Sequence, residues 1–189
     1  MILLLPHGFD GAGPEHSTCH IERFLQNINS NAYDTQDPRA WKHLAAQNIN
    51  FQVAQCTTPA NYFHLLRRQM LRDFRKPLVL AAPKVGLKHP AAVSKLADMA
   101  PGTRFSPIIV NSYNEIDEPA AEVILCSGKI FFDINNYLTE NPSKKAIKVI
   151  RVEELAPFPS LSVHQELAGV SKDASVTWVQ DEGMNQGAF

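Results

Sequence analysis

The stretch FQVAQCTTPANYFHLLRRQMLRDFRKPLVLAA, residues 51–82, decides the fold class of this chain. Residues 51–56 carry apolar side chains at alternate positions and predict a strand, and residues 77–82 are continuously apolar and predict a buried strand. Between them, Thr58 is a suitable N-cap and Pro59 a suitable first residue of a helix. A strand, a helix and a strand with short connections predict a parallel crossover, and therefore an α/β fold.

The predicted helix has one apolar face and one basic face. The apolar face is expected to be buried and consists of Tyr62, Phe63, Leu66 and Met70. The basic group comprises Arg67, Arg68, Arg72, Arg75 and Lys76. We interpret it as a solvated surface, with a site for a phosphate-bearing effector as the alternative. His64 falls between two apolar residues and is expected to pack in partly buried surroundings.

The remaining segments extend the same pattern. Residues 2–5 predict a buried strand, so the sequence is expected to begin inside a core, and residues 17–26 predict a helix. Residues 27–50 lose periodicity and indicate a surface insertion, with one helical turn near residues 41–44. The proline-rich residues 85–119 indicate a linker. Further strands are predicted at residues 122–126, 147–152 and 175–179, with helices after residue 129 and near residues 162–168.

Composition excludes several classes of function. The chain has 189 residues, and its 18 Lys and Arg nearly balance its 19 Asp and Glu, which argues against a nucleic-acid partner. The first apolar run, residues 1–5, is too short for a secretion signal or a membrane span, so neither export nor membrane insertion is expected. Three widely spaced cysteines favour a reducing compartment over a disulfide framework.

A glycine-rich loop, PHGFDGAGPEHS at residues 6–17, follows the first predicted strand. Open α/β sheets place ligand sites beyond the carboxyl ends of their strands. His16 lies where this loop enters a helix, so its imidazole can face a cleft and exchange a proton; alternatively it packs against the helix start. Zinc binding by His16, Cys19 and His20 is disfavoured because no fourth ligand shares their face. Cys126 is expected to be a buried structural thiol.

Six further blocks accompany the loop in a fixed order. They are IERFLQ at 21–26, TTPANYFHLLRRQ at 57–69, RKPLVLAAPK at 75–84, CSGK at 126–129, RVEELAPFP at 151–159 and NQGAF at 185–189. Together with PHGFDGAGPEHS they resemble the thiamine-diphosphate-dependent first component of 2-oxoglutarate dehydrogenase complexes, a family of the transketolase superfamily. The similarity covers nearly the whole chain apart from residues 27–50 and the linker.

The resemblance implies a two-part architecture of mostly parallel sheets with flanking helices. Residues 1–84 would be the last part of a pyrimidine-binding domain, residues 85–119 a linker, and residues 120–189 an incomplete transketolase-like C-terminal domain. The family's Gly-Asp-Gly motif for magnesium and diphosphate is absent from the sequence, as is the glutamate that activates the aminopyrimidine ring. We therefore expect the chain alone to be inactive and to require upstream domains or a full-length subunit.

The resemblance also implies the chemistry. In the complete enzyme, thiamine diphosphate with magnesium supports oxidative decarboxylation of 2-oxoglutarate, and the acyl group passes to lipoamide on a dihydrolipoyl succinyltransferase core. His16 matches the family histidine that reaches the substrate side of the cofactor, and it would bind substrate and move a proton. His7 would line the same entry. The family forms homodimers, and no residue of this chain is implied as a metal ligand.

Two alternatives stay open at this point. The strings HPAAVSKLADMAPGT and RVEEL are similar to the 2-oxoadipate dehydrogenase branch, whose substrate is one methylene longer. The chain could instead be a non-catalytic remnant that keeps a dimerisation or docking surface. By resemblance, the expected location is the mitochondrial matrix in a eukaryote and the cytoplasm in a bacterium.

Overall fold

A computed structural model describes residues 1–9, 13–29, 48–114, 119–143 and 145–188. Over these ranges the chain forms two four-stranded mixed sheets with flanking helices, which confirms the α/β prediction. The middle of the glycine-rich loop and the helical turn predicted near residues 41–44 lie outside the described residues.

The first sheet has the strand order β1-β3-β2-β7. Its strands are β1 (Ile2–Pro6), β2 (Gln52–Ala54), β3 (Leu78–Ala82) and β7 (Glu154–Ala156). Strand β3 pairs in parallel with β1 and β2, as the crossover predicts, whereas β7 runs antiparallel to β2. The second half of the chain therefore contributes an edge strand to the first sheet.

Strand β1 is less buried than the sequence predicts. It occupies the other edge of this sheet, and the Leu4 side chain is 59% exposed. The prediction of a fully buried strand is wrong for Leu4 because, within the described residues, β3 flanks β1 on one side only.

The helices of the first half are α1 (Pro14–Ser17), α2 (Ile21–Gln26) and α3 (Pro59–Leu71). The single helix predicted over residues 17–26 is wrong, because His20 adopts a left-handed conformation with φ of 55° and separates α1 from α2. The predicted start of α3 is confirmed: Thr58 is its N-cap and accepts a hydrogen bond from the Asn61 backbone N at 3.2 Å.

The predicted faces of α3 are confirmed in part, since Tyr62 and Leu66 are half-buried and Arg67 is exposed. The buried residues of the helix are Ala60, Asn61, His64 and Leu65. Two members of the predicted apolar face are exposed, Phe63 at 43% and Met70 at 75%. The burial of His64 is confirmed, and its Nε2 lies 2.9 Å from the Asp98 carbonyl oxygen.

The second sheet has the strand order β4-β6-β5-β8. Its elements are β4 (Ile108–Tyr113), β5 (Glu122–Cys126), α4 (Ile130–Glu140), β6 (Ile147–Val152), α5 (Ser160–Leu167) and β8 (Ser175–Val179). Strands β5, β6 and β8 are parallel, and β4 runs antiparallel to β6. The linker prediction is wrong for residues 108–113, since β4 pairs along its whole length with β6 and is part of this sheet.

Glu153 joins the two halves of the chain inside the protein. Its side chain is completely buried, and Oε2 accepts hydrogen bonds from Thr57 N at 2.9 Å and Asn61 Nδ2 at 3.0 Å. The Thr57 hydroxyl donates to the other carboxylate oxygen, and Arg151 Nη1 donates to that hydroxyl at 2.9 Å. Burial raises the pKa of Glu153. The carboxylate thus binds the first turn of α3 to the connection between β6 and β7.

Glu154 makes a second link between the halves, this time with Arg68 of α3. Arg68 Nη2 and Nη1 lie 2.5 and 3.2 Å from the two Glu154 oxygens, a bidentate arrangement. The guanidinium also stacks over the Phe105 ring, 4.1 Å from its centre. The prediction of a solvated basic face is therefore wrong for Arg68, because the second half of the chain supplies a carboxylate for it.

Among the described residues, no helix combines the length and the apolar character needed to cross a membrane.

Candidate functional site

The loop that carries His16 begins at the carboxyl end of β1. Gly13 has φ of 102°, a conformation that favours glycine, and helix α1 starts directly after it. The Gly13 carbonyl accepts hydrogen bonds from His16 N at 3.1 Å and Ser17 Oγ at 2.7 Å. The His16 side chain is 40% exposed, and its Nε2 lies 3.6 Å from Glu15 Oε1. The structure therefore presents this imidazole at the surface of the described chain.

His7 lies inside the protein at the base of the same loop. Its side chain is 1% exposed, its Nε2 lies 2.6 Å from Glu182 Oε1, and its Nδ1 accepts a hydrogen bond from Cys19 N at 3.3 Å. Because Nδ1 is an acceptor, the proton of the neutral ring is on Nε2 and is donated to the carboxylate. Both ring nitrogens are thus engaged. The substrate-binding role assigned to His7 stays a prediction, and its geometry is that of a supporting residue.

An apolar cleft of about 490 Å³ adjoins the base of the loop. Its lining residues are Cys56, Thr57, Thr58, Pro59, Tyr62, Phe63, Leu66, Ala82, Pro83, Gly86, Leu87, Ala92, Gly128, Lys129 and Phe132. It lies beyond the carboxyl ends of β2 and β3, where parallel sheets place ligands. The loop reaches it through Gly8, where a Cβ atom would come within 2.7 Å of Pro83 Cβ. The exposed apolar face of α3 forms one wall.

Lys129 provides the cationic group of this cleft. Its ammonium lies 3.5 Å from Asp181 Oδ2. Burial raises the pKa of Asp181, while the Lys129 ammonium acts in the opposite direction. The described residues contain no group of three or more His, Cys, Asp or Glu side chains that could hold a metal ion. What the arrangement offers is a half-exposed imidazole, His16, on a loop whose base adjoins an apolar cleft.

The three cysteines carry no disulfide, and all are poor nucleophiles. Burial raises the pKa of Cys19 to about 11 and that of Cys126 to about 12, and it raises the pKa of Cys56 well above its ordinary value. The structural role predicted for Cys126 is confirmed, since this residue is fully buried in the core.

We therefore expect slow alkylation of the folded chain. At about pH 8, iodoacetamide should label none of the three thiols at the rate of a free cysteine, because the thiolate is the reacting species. After unfolding in guanidinium chloride, all three should react at that rate. Mass spectrometry of quenched samples measures both rates. Rapid labelling of Cys126 in the folded chain would contradict its placement.

The sequence did not predict the roles of two carboxylates, Glu182 and Glu153, that hold His7 and Thr57. Glu182 is 175 positions from His7, and Glu153 is 96 positions from Thr57, so no local spacing connects the partners. A signal was present only for Glu153, which directly follows the strand predicted over residues 147–152. An ionisable residue in such a position calls for a partner.

Two known protein families match this chain, one in each half. Two mixed, mostly parallel sheets with flanking helices are consistent with a transketolase-like fold, and residues 1–89 match the family described as transketolase, pyrimidine binding domain. Residues 93–189 match the family described as 2-oxoglutarate dehydrogenase C-terminal. The chain belongs to this 2-oxoglutarate dehydrogenase family, which confirms the resemblance. The second match includes most of the segment predicted as a linker.

Whole-chain relatives have the same family membership. The chain is 46% identical to the 2-oxoadipate dehydrogenase complex component E1 of Mus musculus and 44% identical to a probable homolog of that component in Dictyostelium discoideum. It is 43% identical to the 2-oxoglutarate dehydrogenase E1 component of Cupriavidus necator. Each alignment covers 100% of this chain but only 20%, 21% and 18% of the respective relative. The chain thus spans about a fifth of the length of the relatives that it matches.

Proposed function

We propose that this chain is part of the E1 component of a 2-oxo-acid dehydrogenase, which oxidatively decarboxylates its substrate and transfers the acyl group to lipoamide. The observation that carries the proposal is the half-exposed His16 on a loop that follows β1 and whose base adjoins an apolar cleft, in a chain similar to E1 components over its whole length. The thiamine diphosphate dependence that a pyrimidine-binding domain implies supports it.

In this proposal, His16 is the catalytic residue of the chain. Its imidazole hydrogen-bonds the substrate and moves a proton at the reacting centre, a role that imidazole side chains commonly fill in catalysis. The cofactor supplies the carbanion chemistry in the complete enzyme, and its magnesium and diphosphate ligands lie outside the described residues. The apolar walls of the cleft exclude water beside the loop. His7 supports the loop from within.

The substrate is a 2-oxo dicarboxylic acid, and we favour 2-oxoadipate over 2-oxoglutarate. Mouse and Dictyostelium relatives named for 2-oxoadipate are 46% and 44% identical to the chain, against 43% for the bacterial relative named for 2-oxoglutarate. One methylene is worth only about 1–3 kcal/mol in a pocket, so both acids are expected to react at different rates.

A chimera tests the reaction and the substrate together. In it, these 189 residues replace the matching segment of the mouse relative. We expect carbon dioxide release from both acids, with the larger kcat/KM for 2-oxoadipate by about ten-fold or more. A larger value for 2-oxoglutarate would contradict the favoured substrate. A folded chimera that acts on neither acid would contradict the proposed function.

The cofactor and partners follow from the same proposal. Thiamine diphosphate with magnesium, lipoamide, a second subunit and a dihydrolipoyl acyltransferase core would serve the complete enzyme, in the mitochondrial matrix of a eukaryote or the cytoplasm of a bacterium. The chain alone is expected to bind thiamine diphosphate with magnesium too weakly for detection by isothermal titration calorimetry. Micromolar affinity would contradict this expectation.

A further inference from the structure

Residues 180–187, here termed the clamp segment, form a tight turn held by the side chain of Gln180. Its Nε2 lies 3.2, 3.2 and 2.9 Å from the carbonyl oxygens of Glu182, Gly183 and Gln186. Gly187 has φ of 69°, and a Cβ atom there would come within 2.7 Å of Glu182 Cδ. The turn therefore confines the Glu182 side chain to one direction.

That direction is toward the base of the loop that carries His16. The Glu182 carboxylate is 10% exposed and accepts a hydrogen bond from His7 Nε2 at 2.6 Å, while His7 Nδ1 receives the Cys19 backbone N–H. His7 and Cys19 flank the two ends of the loop. The His7 imidazole thus connects the two ends of the loop, and the Glu182 carboxylate holds that imidazole in place.

Backbone hydrogen bonds close the loop base at the same place. Gly8 N and Phe9 N both donate to the carbonyl oxygen of Ser17, at 2.9 and 3.0 Å. Ser17 is the residue after His16 and is fixed in turn to Gly13. Any displacement of His7 therefore shifts the backbone from which the His16 side chain projects.

A second contact ties the clamp segment to the next turn of the chain. Glu22 Oε2 accepts a hydrogen bond from Gly187 N at 3.1 Å, and Glu22 Oε1 lies 2.9 Å from His20 Nδ1. His20 holds the left-handed conformation that ends the loop region before α2. Residues on both sides of the loop are thus attached to one turn that lies more than 160 positions away.

We propose that Glu182 is a positioning residue for His16 and acts through His7. The inference rests on the catalytic role proposed for His16. The carboxylate accepts a hydrogen bond from His7 Nε2 and fixes the orientation of the ring, His7 Nδ1 holds the Cys19 amide, and the closed loop base aims the His16 imidazole at the substrate. Glu182 itself does not touch the substrate.

Amide exchange of the chain tests the structural half of this proposal. Glu182→Ala should speed exchange of the Gly8, Phe9 and Cys19 amides by about ten-fold or more in NMR experiments, because a hydrogen bond to a charged group is lost. Glu182→Gln should keep them protected, since its amide oxygen still accepts from His7 Nε2. Glu122→Ala, which removes an exposed ion pair with Lys145, is the matched control and should leave the three rates unchanged. Unchanged exchange in Glu182→Ala would overturn the proposal.

Kinetics of the mouse chimera test the functional half. Glu182→Ala should lower kcat by about ten-fold with little change in KM, and Glu182→Gln should restore most of it. The double variant with His16→Ala should be no slower than His16→Ala alone, because both changes act on one group. If the effects of Glu182→Ala and His16→Ala on kcat multiplied in the double variant, the proposal would be overturned, because a general loss of structure would act independently of the loss of His16. Full activity of His16→Ala would instead refute the proposed catalytic role of His16. The amide exchange experiment would still test whether Glu182 holds the loop base.

Discussion

Replacement of His16 by alanine in the mouse chimera is expected to lower kcat/KM for the 2-oxo acid by about 100- to 10,000-fold, the contribution of a positioned proton donor or acceptor. The side chain is 40% exposed, so stability should change little. Steady-state carbon dioxide release measures the effect. Thermal unfolding of the same samples separates it from a loss of structure.

His164→Ala is the matched control for this prediction. His164 lies on α5 in the second half of the chain and is exposed, so its loss should leave kcat/KM within about two-fold. Activity of His16→Ala within a few-fold of the parent would refute the role of His16.

Replacement of Glu153 by alanine is expected to destabilise the chain by about 3–5 kcal/mol, the cost of removing one partner from a buried charged network. Thr57 N, Asn61 Nδ2 and the Arg151 guanidinium would all lose the carboxylate that they face. Urea unfolding of the 189-residue chain, followed by circular dichroism, measures the change.

Two variants frame that measurement. Because burial raises the pKa of Glu153, a neutral acceptor is tolerated there, and Glu153→Gln should cost much less than Glu153→Ala. Glu122→Ala removes a carboxylate from an exposed ion pair with Lys145 and should cost at most about 1 kcal/mol. Equal losses for Glu153→Ala and Glu122→Ala would show that Glu153 does not join the two halves.

The elements that were predicted correctly are those that depend on residues close together in the sequence. The N-cap at Thr58, the strands β5, β6 and β8 and the parallel pairing of β2 with β3 follow from capping chemistry and apolar runs of a few residues. The glycine-rich loop after a strand, also a local pattern, made His16 a candidate, and its catalytic role was implied by the family resemblance.

What the sequence did not show depends on distant partners. The solvated face predicted for α3 was wrong at Arg68 because its carboxylate partner, Glu154, lies 86 positions away. Strand β4 lies in a proline-rich segment and is stabilised by pairing with β6. The burial of His7 depends on Glu182, which no periodicity relates to it.

The most direct test of the central claim is reconstitution in trans. A mouse relative from which the matching segment has been deleted is mixed with this chain, and carbon dioxide release from 2-oxoadipate is followed with thiamine diphosphate and magnesium present. We predict that the chain restores release and that the His16→Ala chain binds equally well without restoring it. Binding of the unaltered chain with no turnover would contradict the account and identify the chain as a non-catalytic docking domain.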